Sequence, residues 1–332
     1  MDNHLPIQRP QTHPSSFLKI LAGNNNLTGT FPEGLYQFFP FLQSFSVYNN
    51  CLRGTLPPEL FETATNLYHA RFLSNQFTGI LPPTWWKPTA VIKVNVLDVG
   101  NNRLVGTIPT SVGNLVDLKS LILAENNLTG ELPSNIGNMN SVSYVDVSQN
   151  NLTGNIPTTV GNWSMIAYLH MQSNALTGAI PSEVGQWHTS LSDLRLQDNR
   201  LTGSLPKELY TLTMLQHLDL SQNDLSGTIS SSISNFGPNQ LLYTLLLNFN
   251  KFHGTIPSAM GNLTQLVTLE VQGNDLTGTM PLSVCEIATL HAGNSYLIAD
   301  CEKDQTTGMV EIECSCCTSC CTANGASCFL TQ

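Results

Sequence analysis

Three groups of side chains in this 332-residue chain could do chemistry. The first recurs every 24 or 25 residues: Tyr144, Asp146, Tyr168, His170, Gln172, Asp193, Arg195, Gln197, His217 and Asp219. Carboxylate–imidazole pairs such as Asp146 with His170 are the raw material of general acid–base catalysis. Exposed Tyr and Arg among charges and amides are equally the make-up of a recognition surface. The second group is sulfur: Cys285, Cys301, Cys314, Cys316, Cys317, Cys320, Cys321 and Cys328, with a run Cys-Ser-Cys-Cys-Thr-Ser-Cys-Cys from Cys314. The third is five Asn-x-Ser/Thr acceptors for glycan, at Asn26, Asn127, Asn151, Asn162 and Asn262.

Each group has a plainer reading. The sequence has no Gly-x-Ser-x-Gly elbow, His-Glu-x-x-His pair, phosphate loop or dinucleotide fingerprint. The carboxylates and histidines therefore point to binding rather than to an enzyme, or to solvated strands with ion pairs such as Arg195 between His170 and Asp219. The even count of late cysteines suits a cap stapled by disulfides. Its thiolate density would also suit zinc or a soft metal. Neither a metal nor any other cofactor is needed to explain folding, and none is expected. Cys51 stands alone beside Asn50 as an unpaired turn residue.

The elements that position these groups follow from one periodicity. Asn recurs at 25, 50, 75, 102, 126, 150, 174, 199, 223, 250 and 274. Around each, apolar residues return at −8, −5, −3, +2 and +6, with Gly at +4 and Pro at +7, as in Leu118, Leu121, Leu123, Asn126, Leu128, Gly130, Leu132 and Pro133. Further apolar columns fall at +10 and +13, where Trp85, Trp163 and Trp187 sit as core residues. A period of this size requires stacked coils that bury their apolar faces against one another. The −5/−3 alternation is that of a short strand with one buried face. An inward Asn amide can satisfy backbone donors and acceptors of its own and a neighbouring turn, which Asp could not do without burying charge. Residues at −6, −4 and −2 point away from the core, so the first group forms columns on one sheet. Tyr243, Leu246 and Phe249 make a second, apolar candidate; Phe249 could instead fold over an adjacent turn.

The string LxxLxLxxNxLxGxIPxxLGxL, repeated from about Phe17 to Ile287, resembles the plant-type leucine-rich repeat. That resemblance implies an α/β-type solenoid of about eleven repeats in a right-handed arc, with a concave parallel β-sheet, short convex strands and 3-10 turns. It also implies roles as a receptor-like ectodomain or an inhibitor that recognises a protein, peptide or glycan on the concave face. The Cys-rich tail is similar to those of diatom leucine-rich repeat proteins. Departures are Ala22 and Ala70 at strand positions, Ser230 in place of Pro, and longer connections at Trp85–Thr89 and Gly237–Gln240.

The expected organisation is a polar, disordered segment at 1–16, the array at 17–284, and a Cys-rich cap and tail at 285–332. Charged residues are 11% and the net charge is −10, which excludes a basic stripe for nucleic acid or an anionic membrane. No apolar run is long enough to span a bilayer. The polar, Pro-rich start lacks the apolar stretch of a signal peptide. With the cysteines, that suggests an extracellular or cell-surface protein whose true start lies upstream; a genuine start at Met1 would make it cytoplasmic. Regular Thr at 28, 78, 129, 153, 177, 202 and 277 motivates an alternative, a secreted structural, adhesion or ice-associated protein. A metal-binding tail is the third reading.

Overall fold

A computed structural model describes residues 18–32, 34–35, 39–86, 93–236, 241–290, 295–301, 311–322 and 328–330. The expected disordered segment at 1–16 and the connection at 237–240 lie outside the described residues, as does the end of the connection after Trp86. The described chain divides after Ile166 into two compact units.

In the first unit, strands Lys19–Leu21, Ser44–Ser46, His69–Arg71, Val96–Asp98, Ser120–Ile122 and Tyr144–Asp146 form a parallel main sheet. Equivalent residues pair without slippage: Lys19, Ser44, His69, Val96, Ser120 and Tyr144 fall in one row. Central residues such as Phe45, Leu97, Leu121 and Val145 are buried, as are Val47, Val99 and Leu123 two positions on. Ala70 takes the same buried place.

A second parallel sheet follows each repeat Asn, made of Thr28–Gly29, Cys51–Thr55, Gln76–Gly79, Arg103–Thr107, Asn127–Glu131 and Asn151–Asn155. Cys51 thus begins a strand rather than sitting in a turn, and it is the one free cysteine. The third side carries 3-10 turns at Pro83–Trp86, Thr110–Asn114, Ser134–Asn138 and Thr158–Asn162, with one short α-helix, Leu60–Thr63. Pro109, Pro133 and Pro157 hold extended backbone just before their turns, as a ring-locked φ dictates. The turns stack so closely that a Cβ on Gly137 would lie 2.2 Å from the Thr159 carbonyl oxygen. Only glycine fits there.

The second unit repeats this plan. Tyr168–His170, Asp193–Arg195, His217–Asp219, Thr244–Leu246, Thr268–Glu270, Tyr296–Ala299 and Ser319–Cys321 run parallel, and Cys328–Leu330 closes the edge antiparallel. The second sheet holds Ala175–Gly178, Arg200–Gly203, Asp224–Gly227, Lys251–Gly254 and Asp275–Leu276. Where Ser230 replaces Pro, its Oγ accepts the Ser232 N–H and starts the turn Ser231–Phe236 by a side-chain bond instead. Helix Leu282–Leu290 packs on the turn Ser258–Asn262. All eight late cysteines pair: Cys285–Cys316, Cys301–Cys320, Cys314–Cys317 and Cys321–Cys328. A disulfide-stapled end with an antiparallel closing strand leaves no long free edge.

The repeat Asn side chains work as expected, and in detail. Asn126 Oδ1 accepts from Leu104 N–H of the preceding coil at 3.0 Å. Its Nδ2 donates to the carbonyls of Leu123 and Ala124 in its own turn and of Val99 in the preceding one, each at 3.1 Å. The same pattern recurs at Asn50, Asn75, Asn102, Asn223 and Asn250. The +4 glycines have positive φ, such as +78° at Gly130. A second left-handed position was not expected: the residue just before each repeat Asn has φ near +50°, from Asn24 to Phe249.

Candidate functional site

Within the second unit, six of the chemistry-bearing side chains share the main-sheet face because strand residues two apart point the same way. Register places Tyr168, Asp193 and His217 in one row and His170, Arg195 and Asp219 in the next. Gln172 and Gln197 follow two residues after His170 and Arg195. Tyr144 and Asp146 belong to the first unit.

The ion pairing differs from the cross-strand arrangement expected of Arg195. Arg195 instead folds back on its own strand, and its Nε and Nη2 donate to the two oxygens of Asp193 at 2.9 Å each. His170 Nε2 lies 3.5 Å from Asp193 Oδ1. Residues two apart on a strand share a face at roughly 6.6 Å, farther than neighbouring strands but within reach of a long arginine, and the two-pronged guanidinium fits one carboxylate best. Burial alone would raise the Asp193 carboxyl, but hydrogen bonds from His170 and Arg195 outweigh it and hold it at about 2. Asp193 is therefore a fixed anion. Burial lowers His217, with the charge of Arg195 assisting and those of Asp193 and Asp219 opposing.

Two candidate carboxylates are engaged by their own turns. Asp219 Oδ1 accepts from the Ser221 N–H and hydroxyl at 3.0 and 2.7 Å. Asp146 does the same with Ser148 at 3.0 and 2.6 Å, and its Oδ2 is 3.5 Å from the Tyr144 hydroxyl. Asp219 is 6% exposed despite its outward column, and burial pushes its carboxyl up. Asp98, which caps Gly100, is pushed up to about 6 in the same way.

The exposed groups around Asp193 are Tyr168 and Tyr243, each 44% exposed, and the outer part of Arg195. Tyr243 lies close enough to interact electrostatically with Arg195, so the second sequence candidate adjoins the first. Leu246 is half-buried beside Asp219. Phe249 lies over Gly273 of the next coil. Sequence reasoning missed Asn248 and Gln272, which continue the Gln172/Gln197 column; all four carry a buried side-chain carbonyl oxygen with no donor among the described residues. The −2 spacing could have found them. Among the described residues no cluster of His, Cys, Asp or Glu could hold a metal ion.

The Leucine Rich Repeat family matches residues 93–115, 117–139, 141–163, 190–212 and 214–236. These segments coincide with the coils seen in both units. Both units therefore carry leucine-rich repeats. The leucine-rich repeat chain is similar to the plant peptide hormone receptor RGFR1 in complex with RGF2, with 32% identity over 79% of this chain and 40% of the receptor's, at a TM-score of 0.74. It is similar to PEPR1 bound to AtPEP1, with 29% identity over 81% of this chain and 40% of that one, at a TM-score of 0.72. A plant ice-binding protein matches with 28% identity over 78% of this chain and 81% of its own, at a TM-score of 0.63. The leucine-rich repeat chain spans about two fifths of the length of each of the two receptors. No curated protein sequence matches it. Among the described residues, no helix is long and apolar enough to cross a membrane.

Proposed function

We propose that the main-sheet face of the second unit is a non-catalytic recognition surface for an extended peptide or protein segment, acting outside the cell. The observation that carries this reading is the Asp193–Arg195–His170 cluster. A buried anion fixes the guanidinium and leaves its outer edge exposed beside the exposed rings of Tyr168 and Tyr243. Rigid aromatic and Arg anchors around a desolvated centre are where binding energy concentrates. An acid held at about 2 cannot itself serve as a general acid or base near neutrality, so Asp193 acts here as a fixed anion. The peptide complexes of RGFR1 and PEPR1 support a peptide over a glycan as the occupant. Four disulfides and five exposed sequons, at Asn26, Asn127, Asn151, Asn162 and Asn262, support an exported protein. The test is a library of extracellular peptides screened against the purified chain, with Tyr168→Ala and Arg195→Ala as controls. A peptide whose affinity drops by roughly tenfold or more in either variant supports the assignment; a ligand indifferent to both removes it.

One observation favours ice as a second reading. Thr55 and Thr107 on the second sheet, and Thr30 just beyond its first strand, each place a methyl against the +4 glycine of the next coil. Thr78 and Thr129 donate their hydroxyls to the carbonyls of Gly54 and Gly106. The rows are thus ordered at strand spacing, and the plant ice-binding neighbour makes thermal hysteresis the measurement to run. No freezing-point gap and no shaping of ice crystals would dismiss it.

A further inference from the structure

The charge of the chain is divided unevenly. Residues 1–166 carry eight Lys and Arg against nine Asp and Glu, whereas 167–332 carry five against fourteen. In the first unit two of these cations open into one groove. Tyr68, Lys93, Asn95, Asp117 and Lys119, with Asn66, line a cleft of about 520 Å³ beside the start of the main-sheet strands. That is ample for a multi-ring ligand and more than a lone inorganic ion requires.

We propose that this groove binds an acidic oligosaccharide, one bearing uronate carboxylates or sulfate esters. Lys93 and Lys119 are exposed, and among the described residues neither pairs with a carboxylate. Two ammonium groups against the single carboxylate of Asp117 leave the cleft net positive, which attracts an anion and repels a cation. The rest of the lining suits a sugar. Asn95 Nδ2 is fixed by the Asp117 main-chain carbonyl at 2.9 Å, which presents its side-chain oxygen to ligand hydroxyls. Tyr68 is half-buried and held edge-on by His69, with ring centroids 4.5 Å apart, so a flat apolar surface stands ready without ordering cost. Asp117 is the opposing charge, and it tunes the groove for ligands that offer hydroxyls as well as acid groups. The site lies in a different unit from the Asp193–Arg195 face, so it stands or falls independently of the peptide reading.

The test is calorimetry on the whole chain with four probes: an oligogalacturonide, a sulfated oligosaccharide, a neutral cello-oligosaccharide and inorganic sulfate. The first two distinguish carboxylate from sulfate as the acid group. Binding of either, weakened by roughly tenfold or more in the Lys93→Glu/Lys119→Glu double variant and by added salt, supports the site. Asp117→Asn is expected to tighten it. Unchanged unfolding temperatures verify that the variants are folded, as two exposed lysines should allow. No affinity for either acidic glycan, equal affinity for the neutral one, competition by sulfate at the glycan's own concentration, or indifference to the double variant would each overturn the proposal.

Discussion

Asn126 ties two coils together through one amide. Replacing it with Leu leaves the Leu104 N–H buried without its acceptor and takes one of two donors from each of three carbonyls: Val99 keeps Asn102, Leu123 keeps Asn150 and Ala124 keeps the Asn101 N–H. Asn126→Leu should lower stability by about 1–3 kcal/mol in urea unfolding. Asn126→Asp should cost at least as much at pH 7, since it turns an anion toward three carbonyls, and should recover in part on acidification. Two other carboxylates respond to pH with opposite signs. Asp193 is depressed to about 2, so its contribution is present above the unfolded value near 4 and is lost as pH falls from about 4 to about 2. It amounts to about 2 kcal/mol, and Asp193→Asn should abolish that acid-side slope in denaturation curves. Asp98 is raised to about 6, so stability declines as pH rises from about 4 to about 6. Asp98→Asn keeps the bond to the Gly100 N–H and should raise stability at pH 7 by up to about 3 kcal/mol.

At the scale of elements, the third side of each unit depends on glycine. The Cβ introduced by Gly137→Ala would meet the backbone carbonyl of Thr159, which cannot move aside as a side chain could. A loss of about 2 kcal/mol or more is expected from calorimetric unfolding, against a much smaller loss for Asn138→Ala on the same turn. The main-sheet strands were legible in the sequence because every coil repeats the same apolar spacing, and eleven repetitions average away local exceptions; the second strands and 3-10 turns were expected only from the resemblance to the plant-type leucine-rich repeat. Ser230 shows the limit, since a side-chain bond does there what a ring does elsewhere. The left-handed residue before each repeat Asn was not legible. Asn, Ser, Glu, Gln, Asp and Phe all occupy it, so no shared chemistry marks the position, and the stacked coils impose the conformation from outside. Phe249 is the strongest case, a bulky residue held at a positive φ over Gly273. The candidate face was legible as columns, but not the partner of Arg195. Spacing alone cannot choose between a carboxylate two residues back on the same strand and one across the sheet.

For the whole molecule, the C-terminal end is held covalently while the coils before it are held only by their neighbours. The Cys285–Cys316 bridge joins helix Leu282–Leu290 to the tail across 31 residues, a loop whose closure is worth about 3–4 kcal/mol in the chain-entropy account. Replacing both cysteines with Ala should speed amide exchange in 282–290 and 311–321 first. Strands Asp193–Arg195 and His217–Asp219 should keep their protection, because nearest-neighbour coupling confines the damage. Simultaneous loss of protection throughout the second unit would instead show that the tail governs the entire stack.

The amide clip at each repeat Asn reaches one coil back and no further. Nothing in such a bond records how many coils there are. A gene can therefore duplicate or drop a tract encoding one full turn, and the resulting chain finds the same partners at every seam. Reach is an inheritable variable here, set by copying and not by redesign.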